Sequence, residues 1–129
     1  MKILLLILCL FSMTAHAEWK YQGEADTFFA YFDVSKIRTE GQYKSMWILL
    51  EHKSRQTVSD KTYISEVRKQ VIDCQASKFQ SVAVYLFSDP WGKGEIAESA
   101  NYSIKESAWQ YPPPNTWTDK LVEVACGRK

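Results

Sequence analysis

Histidine is nearly absent from this chain, with only His16 and His52 among its 129 residues. Acid–base relays, serine triads and zinc centres lean on imidazole, so few of those chemistries can be assembled here. Glycine and proline are also sparse, at five and four residues. No glycine-rich phosphate loop, G-x-S-x-G elbow, Cys-x-x-Cys pair, internal repeat or low-complexity linker occurs. A charge excess of one sign is missing as well. Sixteen Lys and Arg stand against fifteen Asp and Glu, interspersed along the chain, so there is no basic field to draw nucleic acid or an anionic membrane. The longest apolar run, Ile3 to Phe11, is nine residues and too short to cross a bilayer, and no transmembrane segment follows it.

That run does have a reading. Lys2, the apolar stretch and Ala15-His16-Ala17 have the layout of a secretory signal with an A-x-A cleavage site. The expectation is a signal peptide over 1–17 and a single exported domain over 18–129, in the periplasm or at the cell surface. Cys9 follows Leu8, where lipoprotein processing wants a small residue, so a soluble product is expected. Cys74 and Cys126 are then an even pair in an oxidising compartment, which favours a disulfide over metal ligation or a nucleophilic role. Closing a loop of roughly 50 residues stabilises a small domain by about 4 kcal/mol in the chain-entropy model.

The body of the chain is strand-like. Trp19–Tyr21, Thr27–Asp33, Tyr43–Lys53, Tyr63–Cys74, Phe79–Ser88 and Glu95–Tyr102 are rich in β-branched and aromatic residues. Phe79–Ser88 is the strongest and is expected to be central. Val34–Glu40 suits a single helical turn or loop, and Ser54–Lys61 reads as a mobile polar loop. Asp89-Pro-Trp-Gly-Lys-Gly94 reads as a hairpin tip. Tyr111–Pro114 is a stiff polyproline spacer leading to the last element, where Trp117, Leu121 and Ala125 fall on one stripe of a short helix. Thr116 is placed to cap it and Gly127 to stop it.

No catalytic residue, metal ligand or cofactor site is expected. His52, beside Glu51 and Lys53 at a strand end, reads as a solvated surface imidazole. Glu51 with Asp73, or Glu95 with Glu98, can be posed as a carboxylate pair, but their spacing selects nothing. The aromatics carry more, with five Trp and seven Tyr. Trp47 and Trp117 sit at core positions by periodicity. Trp91, framed by Gly and Pro, either packs over its own hairpin or is displayed for binding, and Tyr85 and Phe87 on the preceding strand join it as candidate binding residues. Several strands are apolar on both faces while a single helix can cover one. The other face is closed by curl of the sheet, or holds a small molecule, or meets a partner or a second copy in a homodimer.

Trp19, the Phe28–Asp33 motif F-x-A-Y-F-D, M-W-I-L-L at Met46–Leu50, V-I-D-C at Val71–Cys74 and W-x-x-x-L-x-x-x-A-C at Trp117–Cys126 together resemble the surface-adhesin protein E family of Gram-negative bacteria. The resemblance spans nearly all of 18–126. It implies an α+β fold, an antiparallel sheet of about six strands with the C-terminal helix packed on one face and tethered by the disulfide, and a tendency to dimerise. For function it implies a non-enzymatic exported binding protein, adhesin-like, engaging host or extracellular-matrix proteins. The alternative is a periplasmic ligand-binding or envelope-structural domain without adhesin activity.

Overall fold

The alternation of apolar and polar residues along the chain resolves into seven antiparallel strands in a computed structural model that describes residues 17–128. They are β1 (Lys20–Glu24), β2 (Phe28–Phe32), β3 (Arg38–Glu40), β4 (Tyr43–Val58), β5 (Lys61–Asp73), β6 (Lys78–Asp89) and β7 (Lys93–Asn101), followed by one helix, α1 (Trp117–Ala125). The sheet runs β1-β2-β4-β5-β6-β7, with the short β3 paired to β4 beyond the end of β2. The expected signal peptide lies, except for Ala17, outside the described residues. Among the described residues no helix is long and apolar enough to cross a membrane.

Register sorts the side chains. Phe32 pairs with Ile48, and Ala30 with Leu50, so these four point to one side, together with Phe28 and Met46. Ala30, Phe32, Met46, Ile48, Leu50, Ile72 and Phe79 form one buried cluster with Leu121, Val122 and Ala125 of α1. Leu121 is wholly buried, worth about 1.5–3 kcal/mol for the side chain. Cys74 and Cys126 are joined, 52 residues apart in sequence, and Arg128 adds hydrogen bonds to the Cys74 carbonyl and to Ser77 Oγ. At the helix start the Thr116 hydroxyl accepts from Asp119 N–H at 3.3 Å, and the stop is Gly127 at φ +67°, a left-handed conformation that glycine adopts without cost.

Two stretches differ from the sequence expectation. Ser54–Lys61 is not a loop. Strand β4 continues to Val58, and its end pairs with the start of β5 through Gln56–Tyr63, Thr57–Thr62 and Val58–Lys61 around a tight Ser59-Asp60 turn. This ribbon lies largely in solvent, so no face imposes a hydrophobic period, and ladder hydrogen bonds hold it together with one from Arg55 Nη1 to the Ser88 carbonyl at 2.9 Å. Val34–Glu40 likewise splits into a 3-10 turn at Val34–Lys36 and the edge piece β3. After β7 the chain returns to the sheet, where Phe79 and Gln110 exchange both backbone hydrogen bonds.

Candidate functional site

On the side of the sheet opposite the buried cluster, two rows of side chains cross the strands. One runs Tyr21, Tyr31, Leu49, Val67, Tyr85 and Ser99, and the other Phe29, Glu51, Ser65, Phe87 and Ile96. Trp47 lies beside the first row, its ring 6.3 Å from that of Tyr85. Aromatics flank the middle of both rows, which is Leu49 and Val67 in the first and Glu51 and Ser65 in the second. Trp19, Trp47, Val67, Tyr85, Phe87 and Ile96 line an open apolar groove of about 400 Å³ with Asp33 and Lys36 among its lining residues.

Strap geometry explains why Leu49, in the middle of this face, is wholly buried. The β6–β7 connection, Pro90–Gly92, folds back over the sheet rather than projecting from it. A Cβ at Gly92 would stand 2.8 Å from Val67 Cγ2 and 3.8 Å from Leu49 Cδ1, so only glycine lets the backbone come this close, and its φ of +67° asks for glycine too. The buried Ser65 hydroxyl ties both ends of the strap, donating to Asp89 O at 2.6 Å and accepting from Gly92 N–H at 3.0 Å. Trp91 N–H donates to the Glu51 carboxylate. Burial pushes the Glu51 carboxyl above its usual value, while the Trp91 hydrogen bond and the charge of His52 pull it back.

Tyr85 and Phe87 thus meet in the groove, whereas Trp91 lies outside its lining. The Trp91 backbone is left-handed at φ +66°, and its ring packs edge-on against Tyr31 at 4.9 Å while 46 % of the residue stays exposed. Packing and display coexist. Tyr21, itself exposed, continues the array by touching Tyr31 at 5.7 Å, and Lys53 Nζ sits 4.9 Å from the Phe29 ring. The contribution of Tyr21, Phe29 and Tyr31 was not singled out by sequence reasoning. Its signal is the apolar odd face of Phe28–Phe32, which registers with the aromatics of β1 only once the pairing is known.

The reading of His52 as a solvated surface residue is corrected. Its ring is buried edge-on between Phe28 and Tyr63, and Nε2 meets Glu66 Oε2, with the His52 side chain only 10 % exposed and Glu66 6 %. Register put it there, because His52 pairs with Phe28 and so points to the helix side. Arg68 holds the other carboxylate oxygen at 2.7 and 3.2 Å. With both oxygens occupied Glu66 is no free base, and His52 Nδ1 is buried without a partner. Glu66 and Arg68 face a second, more polar groove of about 600 Å³, with Tyr63, Glu98 and Tyr102 among its walls. Burial raises the Tyr63 phenol above its ordinary value, and the nearby Glu66 and Glu98 charges add to this.

Other posed pairs do not meet. Glu51 lies opposite Ser65, and Asp73 is eight residues further along β5, roughly 27 Å at about 3.4 Å per residue. Glu95 and Glu98 are both exposed on the edge strand β7. No group of three or more His, Cys, Asp or Glu side chains able to hold a metal is found among the described residues.

The sequence profile of the surface-adhesin protein E family matches residues 19–127. Among solved structures, this chain is similar to Haemophilus influenzae protein E, at 15 % identity and a TM-score of 0.64 over 89 % of this chain and 91 % of that one. A second crystal form of that protein gives 14 % identity and a TM-score of 0.61, covering 88 % and 97 % of the two chains. Protein E from non-typeable Haemophilus influenzae gives 14 % identity and 0.64, covering 89 % and 79 %. At such identities the likeness is one of fold. Among curated protein sequences none matches this chain.

Proposed function

This chain belongs to the surface-adhesin protein E family, and from that premise we propose that it is an exported, non-enzymatic binding protein that engages a host or extracellular-matrix protein through the face opposite the helix. The observation that carries this reading is the aromatic and aliphatic array itself. On one face α1 contributes Leu121, Val122 and Ala125 to the buried cluster, while the other keeps Tyr85 and Phe87 in an open groove and Trp91 and Tyr21 exposed beside it. Tyr and Trp at a partly desolvated patch are the side chains that dominate protein-binding hot spots. A second copy of this chain is the competing occupant of the same face, as the expected homodimer would have it.

Capture of the purified protein on a panel of immobilised matrix proteins tests the assignment. The Trp91→Ala and Tyr85→Ser/Phe87→Ser variants are expected to lose at least tenfold in capture with far-UV circular dichroism unchanged. Capture that survives both changes rules this face out. The alternative, a periplasmic ligand-binding domain, draws on the polar groove around Arg68 and Glu66. Protease shaving of intact cells separates the two, because a surface protein is removed and a periplasmic one is spared.

A further inference from the structure

Asp33, directly after β2, is a buried carboxylate that the binding reading leaves unused. It is 1 % exposed, and its Oδ1 accepts from Ser35 Oγ at 2.6 Å. Oδ2 is held loosely. Its partners are Glu18 N–H at 3.4 Å and Lys36 Nζ at 3.9 Å, the latter on a side chain that is 35 % exposed. The Lys36 ammonium reaches that oxygen only at 3.9 Å and from a side chain partly in solvent, so a closer positive charge would stabilise the buried carboxylate further. The register shows where such a charge can come from. Lys20 pairs with Phe32, so the backbone just upstream of Lys20 runs against Asp33.

We propose that cutting the Ala17–Glu18 peptide bond completes this site, the new α-ammonium of Glu18 seating on Asp33 Oδ2. The cut is a hydrolysis by a leader-cleaving peptidase at the A-x-A sequence. The C–N bond breaks, the oxygen of water joins the Ala17 carbonyl carbon, and the leader leaves as a carboxylate. Both hydrogens of that water go to the Glu18 nitrogen, which becomes –NH₃⁺. A neutral amide donor 3.4 Å from the carboxylate is thereby replaced by a cation that can close the gap to a charge-assisted hydrogen bond. The same event acts on the apolar groove. Ala17 lines that groove with Trp47, Tyr85 and Phe87, so its departure removes part of one wall. Processing and opening of the binding face are then one step. The groove half of this proposal rests on the function proposed above, and the Asp33 half does not.

The test compares a chain that begins at Glu18 with one that keeps Thr14-Ala-His-Ala17 ahead of it, each with Asp33 intact and as Asp33→Asn. The chain beginning at Glu18 is expected to melt roughly 5 °C higher than the extended one, and Asp33→Asn to erase that difference. Equal melting temperatures, or a gap that survives Asp33→Asn, overturn the proposal. Should Asp33→Asn fail to fold, Nα-acetylation of the Glu18 chain does the same work, since it must bring the melting temperature down to that of the extended chain. Intact mass of the exported protein must also start at Glu18, and any other start overturns the assignment. An anilinonaphthalene sulfonate dye should bind the Glu18 chain about threefold more tightly than the extended one. Unchanged dye binding overturns the groove half, while tighter dye binding without matrix capture overturns the proposed function and leaves the Asp33 half standing.

Discussion

The two faces of this sheet are built from similar residues and closed by very different means. On one, α1 brings Leu121, Val122 and Ala125 into a cluster with seven buried sheet residues, and a covalent bond fixes its end to β5's exit. On the other, a three-residue strap held mainly by Ser65 and Glu51 covers Leu49 and Val67 and leaves the flanking aromatics open. Strand composition therefore does not decide which side of a sheet becomes core and which becomes surface for a partner. The covering element decides it, through how much apolar area it buries and how firmly it is held.

That contrast can be broken most severely from the helix side. Leu121→Ala is expected to cost about 2–5 kcal/mol in denaturant unfolding, and Cys126→Ser a similar 2–5 kcal/mol, because one opens a cavity in the cluster and the other frees a 52-residue loop. A loss below about 1 kcal/mol for either would mean that the helix face is not the structural one. Next comes Gly92→Ala in the strap. The added methyl meets the stiff Val67 side chain at 2.8 Å in a left-handed backbone, so a loss of about 1–3 kcal/mol is expected, with Trp91 fluorescence shifting as the ring lifts from Tyr31. Thr116→Ala removes the helix cap and should lower stability by about 1 kcal/mol while leaving Trp91 emission alone. A fluorescence change there would show that the faces are coupled.

Smallest is the electrostatic effect of Glu51. A carboxyl whose folded pKa is raised binds its proton more firmly in the native state, so stability is highest below the unfolded value near 4.5 and falls as pH rises through the folded pKa. Glu51→Gln keeps an acceptor for Trp91 N–H without the charge. Its melting temperature relative to the native chain should therefore improve between pH 4 and pH 7. Glu40 supplies the opposite sign, since the hydrogen bond from Lys69 holds its carboxyl below the usual value, and stability there is lost as pH falls.

Local signals were legible in the sequence where they are strong and self-contained. The Cys74–Cys126 pair, the Thr116 cap and the Gly127 stop all follow from spacing and residue type, whereas Phe79–Ser88, expected to be central, is paired on both sides but stands one strand from the edge. Trp91 was visible as unusual, though not that its strap would lie down on the sheet, because the space under Gly92 is made by Val67 and Leu49 from two other strands. The ribbon at Ser54–Val58 was unreadable since a strand with no buried face carries no period. His52 looked solvated because its neighbours Glu51 and Lys53 are polar, and only the pairing with Phe28 and the distant Glu66 shows its burial.

The Cys74–Cys126 bond also alters what a protease can do to this molecule. Everything from the β5 exit through β6, β7 and the exposed Tyr111–Pro114 spacer lies inside the loop it closes. A single nick in that spacer severs the backbone but releases nothing, since α1 stays linked to the sheet through sulfur and remains seated in its cluster. One cut leaves a two-chain protein with the same shape, and only reduction as well as cleavage lets the helix depart.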